Sequence, residues 1–112
     1  MMTGTELIAA ERQRQIEEEG WTAEHDGGHA GGELAWAACY YAVPCPDRKH
    51  PPTIHNRPGE VVALEPDALF PRFWSNQGAK RWDKPRVRQL VVAGALIAAE
   101  IDRFQRAEKE AD

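Results

Sequence analysis

The run from Pro85 to Ala107 constrains this fold more than any other stretch. Val87, Leu90, Val91, Gly94, Ile97, Ala98, Ile101 and Phe104 recur three and four residues apart, the spacing of one helix face. Pro85 suits a first helical position, since its fixed φ is pre-set for a helix and its missing N–H is not needed there. The pattern predicts a helix over about 85–107. Val92, Leu96 and Ala99 widen the stripe, so the middle of this helix is expected to be buried on most sides or to lie at a dimer interface. Buried apolar side chains contribute about 1.5–3 kcal/mol each, so this helix is expected to supply most of the core. Gly94 costs about 1 kcal/mol against alanine and implies close packing of another helix. The last residues, AEKEAD, are expected to fray.

The other elements are shorter. Thr3 and Glu6 form a T-x-x-E capping box, and Gly20 is a natural stop, which predicts a first helix over about 5–19. Its apolar residues Leu7, Ile8 and Ile16 continue into Glu11, Arg12 and Gln15. Two readings stay open: Glu11 and Gln15 face a site beside the core, or the helix lies on the surface. The segment Gly20–Gly32 carries five glycines. A second helix is expected over about 31–43, ending before Pro44. Its sequence GELAWAACYYAV is apolar nearly all round, which predicts a central position and a packing role for Cys39. Residues 44–84 contain seven prolines and are expected to be irregular, with room for one short strand at Glu60–Leu64. The expected fold is mainly α: a single domain over 1–112, with three helices and a long Pro-rich irregular segment between the second and third. Glu100, Asp102 and Arg103 predict an ion pair between helices.

Several classes are disfavoured. No apolar run reaches the roughly 20 residues of a membrane span. The N-terminus lacks a basic region followed by an apolar one, so it does not read as a signal peptide. Cys39 and Cys45 make no disulfide framework. A cytoplasmic protein without membrane contact is expected. The net charge of −4 gives no global attraction to duplex nucleic acid.

Two constellations carry candidate chemistry. The first is Glu11, Gln15, Trp21, His25, Asp26, His29 and Glu33. Carboxylates suit Mg²⁺ or Mn²⁺ and imidazole suits Zn²⁺, so Asp26, His29 and Glu33 are candidate metal ligands. The alternative is that Asp26 caps a turn and the histidines are solvated. The second is Trp74, Lys80, Arg81, Trp82, Lys84, Arg86 and Arg88. Aromatic faces stack on bases, and Arg and Lys pair with phosphate. The alternative makes both tryptophans core plugs and the cations a solvated face. Together the two sets predict a pocket between the Trp21–Glu33 loop, the face bearing Glu11 and Gln15, and the basic start of the last helix. Trp82 or Trp74 would stack on a base. Lys84, Arg86 and Arg88 would hold phosphate, while His25, Asp26 and Glu33 would meet ribose hydroxyls or a metal. Phosphate-loop, serine-elbow and C-x-x-C motifs are absent from the sequence.

The segment IAAERQRQIEEEGWTAEHDGGHAGGELAWAACYYA resembles a small-protein family of tailed phages and prophages, and WDKPRVRQLVVAGALIAAEIDRF is similar to that family's C-terminal helix. A more distant resemblance is to the MazG-like all-α nucleotide pyrophosphatases, which hold Mg²⁺ on E-x-x-E and E-x-x-D pairs. The pairing differs here: Trp36 stands where a second glutamate would follow Glu33, and Glu100 and Asp102 are two apart. The resemblance implies a nucleotide-type ligand. The first expectation is a protein that binds a nucleotide or another phosphorylated small molecule, sequestration of a host immune signalling nucleotide being one role open to it, with no cofactor required for binding. The second is a pyrophosphohydrolase using Mg²⁺ or Mn²⁺. The third is a protein-interaction module. A homodimer or higher homo-oligomer through the last helix is expected with any of them.

Overall fold

The computed structural model describes residues 1–28, 31–71 and 81–111. The described chain is mainly helical: α1 (Gly4–Glu19), α2 (Ala23–Gly27), α3 (Glu33–Ala42) and α4 (Arg86–Ala111), with one hairpin of β1 (Thr53–Arg57) and β2 (Glu60–Ala63). Short 3-10 turns lie at Pro66–Leu69 and Arg81–Asp83.

Local chemistry accounts for most boundaries. The Thr3 hydroxyl accepts from Glu6 N, and the Glu6 carboxylate accepts from Thr3 N at 3.0 Å, so the capping box forms as expected. Gly20 ends α1 with φ 72°, a left-handed turn that glycine adopts without strain. Two elements go beyond the expected set. The Thr22 hydroxyl accepts from His25 N and caps the short α2. The Pro58-Gly59 pair closes the hairpin, with Gly59 at φ 80° as the third residue of a type II turn requires. The segment expected to be irregular therefore holds two strands, not one. The last helix continues to Ala111, beyond the expected 107.

The core corrects two expectations. α4, rather than α3, is the central helix: α1, α2 and α3 all pack on it. α3 buries Leu34, Ala37, Ala38, Tyr40 and Tyr41, but leaves Trp36 and Cys39 exposed. Cys39 is therefore not a packing residue. The face of α4 that enters the core is Val91, Val92, Ala93, Ala95, Leu96 and Ala99. Much of the expected stripe lies outside this core: Val87, Leu90, Ile97, Ile101 and Phe104 are exposed. The alanine-rich side is the one that lets neighbouring helices approach, and α1 and α3 take it.

Gly94 marks the closest approach. A Cβ there would stand 2.5 Å from Ile8 Cδ1 and 2.8 Å from Ile8 Cγ1. Gly94→Ala gains about 1 kcal/mol of helix propensity, but overpacking costs about 1–3 kcal/mol. We expect a net loss near 1 kcal/mol, a fall of a few degrees in melting temperature. Adding Ile8→Ala should relieve the overlap, so the two substitutions will be non-additive in thermal melts. A Gly94→Ala protein that melts higher than wild type would rule out this crossing.

Candidate functional site

α1 has almost no apolar face, and its two buried side chains are polar: Glu11 and Gln15. Glu11 is 2% exposed. Its carboxylate accepts from Arg14 Nε and Nη2, both at 2.8 Å, from Gln15 Nε2 at 3.2 Å, and from Arg88 Nη2 on α4. Burial alone would push this carboxyl upward. The Arg14 hydrogen bonds and the Arg88 charge outweigh it and hold the group below its ordinary value of 4.5. The Oε1 of Gln15 is buried without a hydrogen-bond partner among the described residues.

A second polar cluster closes the end of α3. A helix leaves its last four carbonyls without internal partners, and Pro44 brings no N–H to the turn that follows. Arginines meet this need. Arg81 is fully buried. It donates through Nη1 to Tyr40 O at 2.6 Å and through Nη2 to Cys45 O at 2.9 Å and Gln89 Oε1 at 3.4 Å. Arg86 donates to Val43 O at 3.0 Å, Tyr41 O at 3.3 Å, Ala42 O, and Gln89 Oε1 at 3.0 Å. Gln89 returns its amide to Arg81 O at 2.9 Å and Lys84 O at 3.1 Å. Among the described residues no carboxylate lies within ion-pair distance of Arg81, and its Nε has no partner.

The third cluster joins α2 to α1. Asp26, fully buried, pairs with Arg12 Nη2 at 2.9 Å and with His25 Nδ1 at 3.0 Å. Trp21 lies parallel to the His25 ring at 5.6 Å between centroids. Arg12 Nε also faces Asp102 at 3.9 Å, the expected ion pair between helices. Arg103 instead pairs with Glu100 on its own helix, at 2.6 Å.

Two cavities show which of the expected residues meet. Glu11, Gln15, Trp21 and Lys84 surround one small cleft with Tyr41, about 30 Å³ in volume. That is room for a water molecule, not for a nucleotide. Lys84 and Arg86 line a larger cavity of about 460 Å³ with Pro44, Cys45, Pro46, Pro85 and Gln89. Lys84 belongs to both. Arg88 is absent from the larger cavity and is paired with Glu11. Trp82 donates Nε1 to Asp67 Oδ1 at 2.9 Å, and the guanidinium carbons of Arg81 and Arg48 lie 4.7 and 5.2 Å from its ring centre. His25, Asp26 and Glu33 line neither cavity. The Glu33 carboxylate accepts from Gly31 N at 3.1 Å, holding its own helix start. His29, Trp74 and Lys80 lie outside the described residues, and with His29 so does the metal set Asp26–His29–Glu33 as a whole. No group of three or more His, Cys, Asp or Glu suited to a metal occurs among the described residues.

Tyr41, Cys45 and Gln89 were not foreseen as site residues. Pro44 and Pro46 around Cys45 mark a rigid turn, but nothing in the sequence ties it to Gln89. No protein-family model, curated protein or solved structure matches the chain.

The Glu11 geometry sets a pH dependence. A folded carboxyl held low contributes stability that is complete above its unfolded value near 4.5 and is lost as pH falls through the folded value. Glu11→Gln should cost about 2 kcal/mol at pH 7, as charge-assisted hydrogen bonds are lost. It should also flatten the decline in stability between pH 5 and 3. Urea unfolding at pH 7, 5 and 3 checks both. An unchanged acid limb would remove Glu11 from the account.

Proposed function

We propose that this chain binds a nucleotide or another phosphorylated small molecule, with phosphate seated in the cavity at the junction of α3 and α4. The supporting observation is the concentration of positive charge there. Arg81, Lys84 and Arg86 converge on the end of α3, whose dipole supplies only about half a negative charge. Arg81 has no carboxylate partner among the described residues. Its hydrogen bonds to Tyr40 O, Cys45 O and Gln89 Oε1 and the more distant Asp67 charge offset the cost of burial in part, and an anion in the adjoining 460 Å³ cavity would add to them. Lys84 is the group that reaches phosphate, since it lines the cavity and sits 6.0 Å from the Tyr41 ring centre. Arg86 contributes field from a fixed position.

The resemblance of the ERQRQ and GELAW segments to phage proteins supports a role in the cytoplasm of an infected or lysogenic cell, where the protein would sequester a host immune signalling nucleotide. The exposure of Trp36, at the position of a second glutamate in the MazG-like pattern, favours holding over hydrolysis. The same reading expects a homo-oligomer through α4.

The test is direct binding of linear and cyclic nucleotides, ADP-ribose and inorganic phosphate, with and without Mg²⁺ or Mn²⁺, followed by chromatography of the released ligand. Intact ligand supports capture, and a converted product would make the protein an enzyme. Lys84→Ala should weaken binding about 10-fold, equivalent to about 1.4 kcal/mol, with an unchanged far-UV spectrum. Arg86→Ala should lower the melting temperature as well, because it also uncaps α3. No binding by any of these ligands would overturn the reading.

A further inference from the structure

We propose that the cavity between α2 and the C-terminal part of α4 is a second binding site, one for a small zwitterion of the amino-acid class. Its volume is about 480 Å³. Small residues make the room: Ala107 on α4, and Ala23 and Gly27 on α2. A Cβ added at Gly27 would meet nothing within 4 Å. Four charged side chains complete the wall, Glu24 on α2 and Arg103, Arg106 and Glu110 on α4. The three on α4 stand three and four residues apart, on one face of the helix. Along that face the order is two cations, an alanine and a carboxylate, and the rise from Arg106 to Glu110 is about 6 Å.

These charges are not spent on one another. Arg106 and Glu110 have the spacing of a helical ion pair, yet among the described residues Arg106, Glu110 and Glu24 make no ion pair and no side-chain hydrogen bond. Arg106 is half-buried, and its Nη2 is enclosed without a hydrogen-bond partner. Leaving such a donor unmatched is costly. Arg103 gives Nε to Glu100, and its guanidinium carbon lies 4.4 Å from the Phe104 ring centre, which holds the group in place. Glu100 takes part of the Arg103 charge, so Arg106 is the principal anchor. The mixture of signs chooses the ligand. Guanidinium groups attract a carboxylate, and carboxylates attract an ammonium. A plain anion would meet the repulsion of Glu24 and Glu110, and a plain amine that of Arg103 and Arg106. A molecule bearing both charges a short distance apart meets neither penalty. Its carboxylate would rest on Arg106 and Arg103, its ammonium near Glu24 and Glu110, and its side chain over Ala107.

Ligand-observed NMR of the full chain with the standard amino acids, followed by calorimetry on the strongest binder, tests the site. At least one amino acid should bind. Its N-acetyl derivative and its amide should each bind at least about 10-fold more weakly, as each loses one charge-assisted contact. Arg106→Gln and Glu24→Gln should each weaken the free amino acid to a similar degree. Both variants should keep the wild-type helical spectrum and melting temperature, since neither side chain is hydrogen-bonded within the described chain. No binding by any of the amino acids would overturn the proposal. A blocked derivative that binds as well as the free amino acid would also overturn it, as would binding that either variant leaves unchanged. Lys84→Ala should not affect amino-acid binding, and a loss there would move the ligand to the α3–α4 cavity and overturn this site. Arg106→Gln in turn should leave nucleotide and phosphate capture unchanged, so failure of one reading leaves the other standing.

Discussion

The structure depends on how the C-terminal carbonyls of α3 are satisfied. α3 ends at Ala42, two residues before the exposed Pro44, with Tyr40, Tyr41, Val43 and Cys45 buried around its end. An unpaired buried carbonyl costs about 1–3 kcal/mol, and several together would be prohibitive for a chain this small. Arg81 and Arg86 bind Tyr40, Tyr41, Ala42, Val43 and Cys45 through oxygen, and Gln89 holds both guanidinium groups at one amide oxygen. The end of α3 is thereby tied to the start of α4 by polar contacts that have direction as well as strength. That tie sets where α4 begins, and the remaining helices pack along it.

α1 is attached by the same kind of chemistry. Its apolar residues Leu7, Ile8 and Ile16 are only half-buried, while Glu11 and Gln15 are the groups turned fully inward. A helix without an apolar stripe needs another reason to sit where it does. The Glu11–Arg88 pair, the Asp26–Arg12 pair and the Ile8–Gly94 contact supply it at three points along α4 and α2. Each charged contact carries supporting hydrogen bonds: Glu11 takes two from Arg14, and Asp26 takes one from His25. Without those bonds the cost of burying the carboxylates would outweigh the attraction.

Features that announce themselves locally were legible in the sequence. The Thr3–Glu6 capping box, the Gly20 stop and the long helix after Pro85 involve neighbours within one turn, and each formed. Thr22 and Pro58-Gly59 carried equally local signals for α2 and the hairpin. The orientation of α4 was not legible, because the helix is apolar around more than half its circumference. Hydrophobicity alone favoured Ile97, Ile101 and Phe104 for the core. Packing chose Ala93, Ala95 and Ala99, since small side chains permit the approach that Gly94 completes. The site was legible in kind more than in arrangement. Glu11, Gln15, Trp21 and Lys84 do meet, but around a cleft of about 30 Å³. The larger cavity keeps Lys84 and Arg86 and recruits Cys45 and Gln89, which are 44 residues apart. No periodicity links such positions. Only the need to cap α3 does.

That need also shapes what the cavity can do. An arginine fixed on three carbonyls, as Arg86 is, cannot swing onto a ligand as a free side chain would. It is already ordered, so little conformational entropy remains to be lost when an anion arrives. The same holds more strongly for Arg81, which is fully enclosed. Their charges are therefore standing features of the field rather than mobile clamps, and preorganised charge costs no rearrangement at the moment of binding. Lys84 differs. It lines the cationic cavity and the Gln15 cleft, and its ammonium lies 6.0 Å from the Tyr41 ring centre. Fixed guanidinium groups would set where an anion rests, and the Lys84 ammonium would set how firmly it is held.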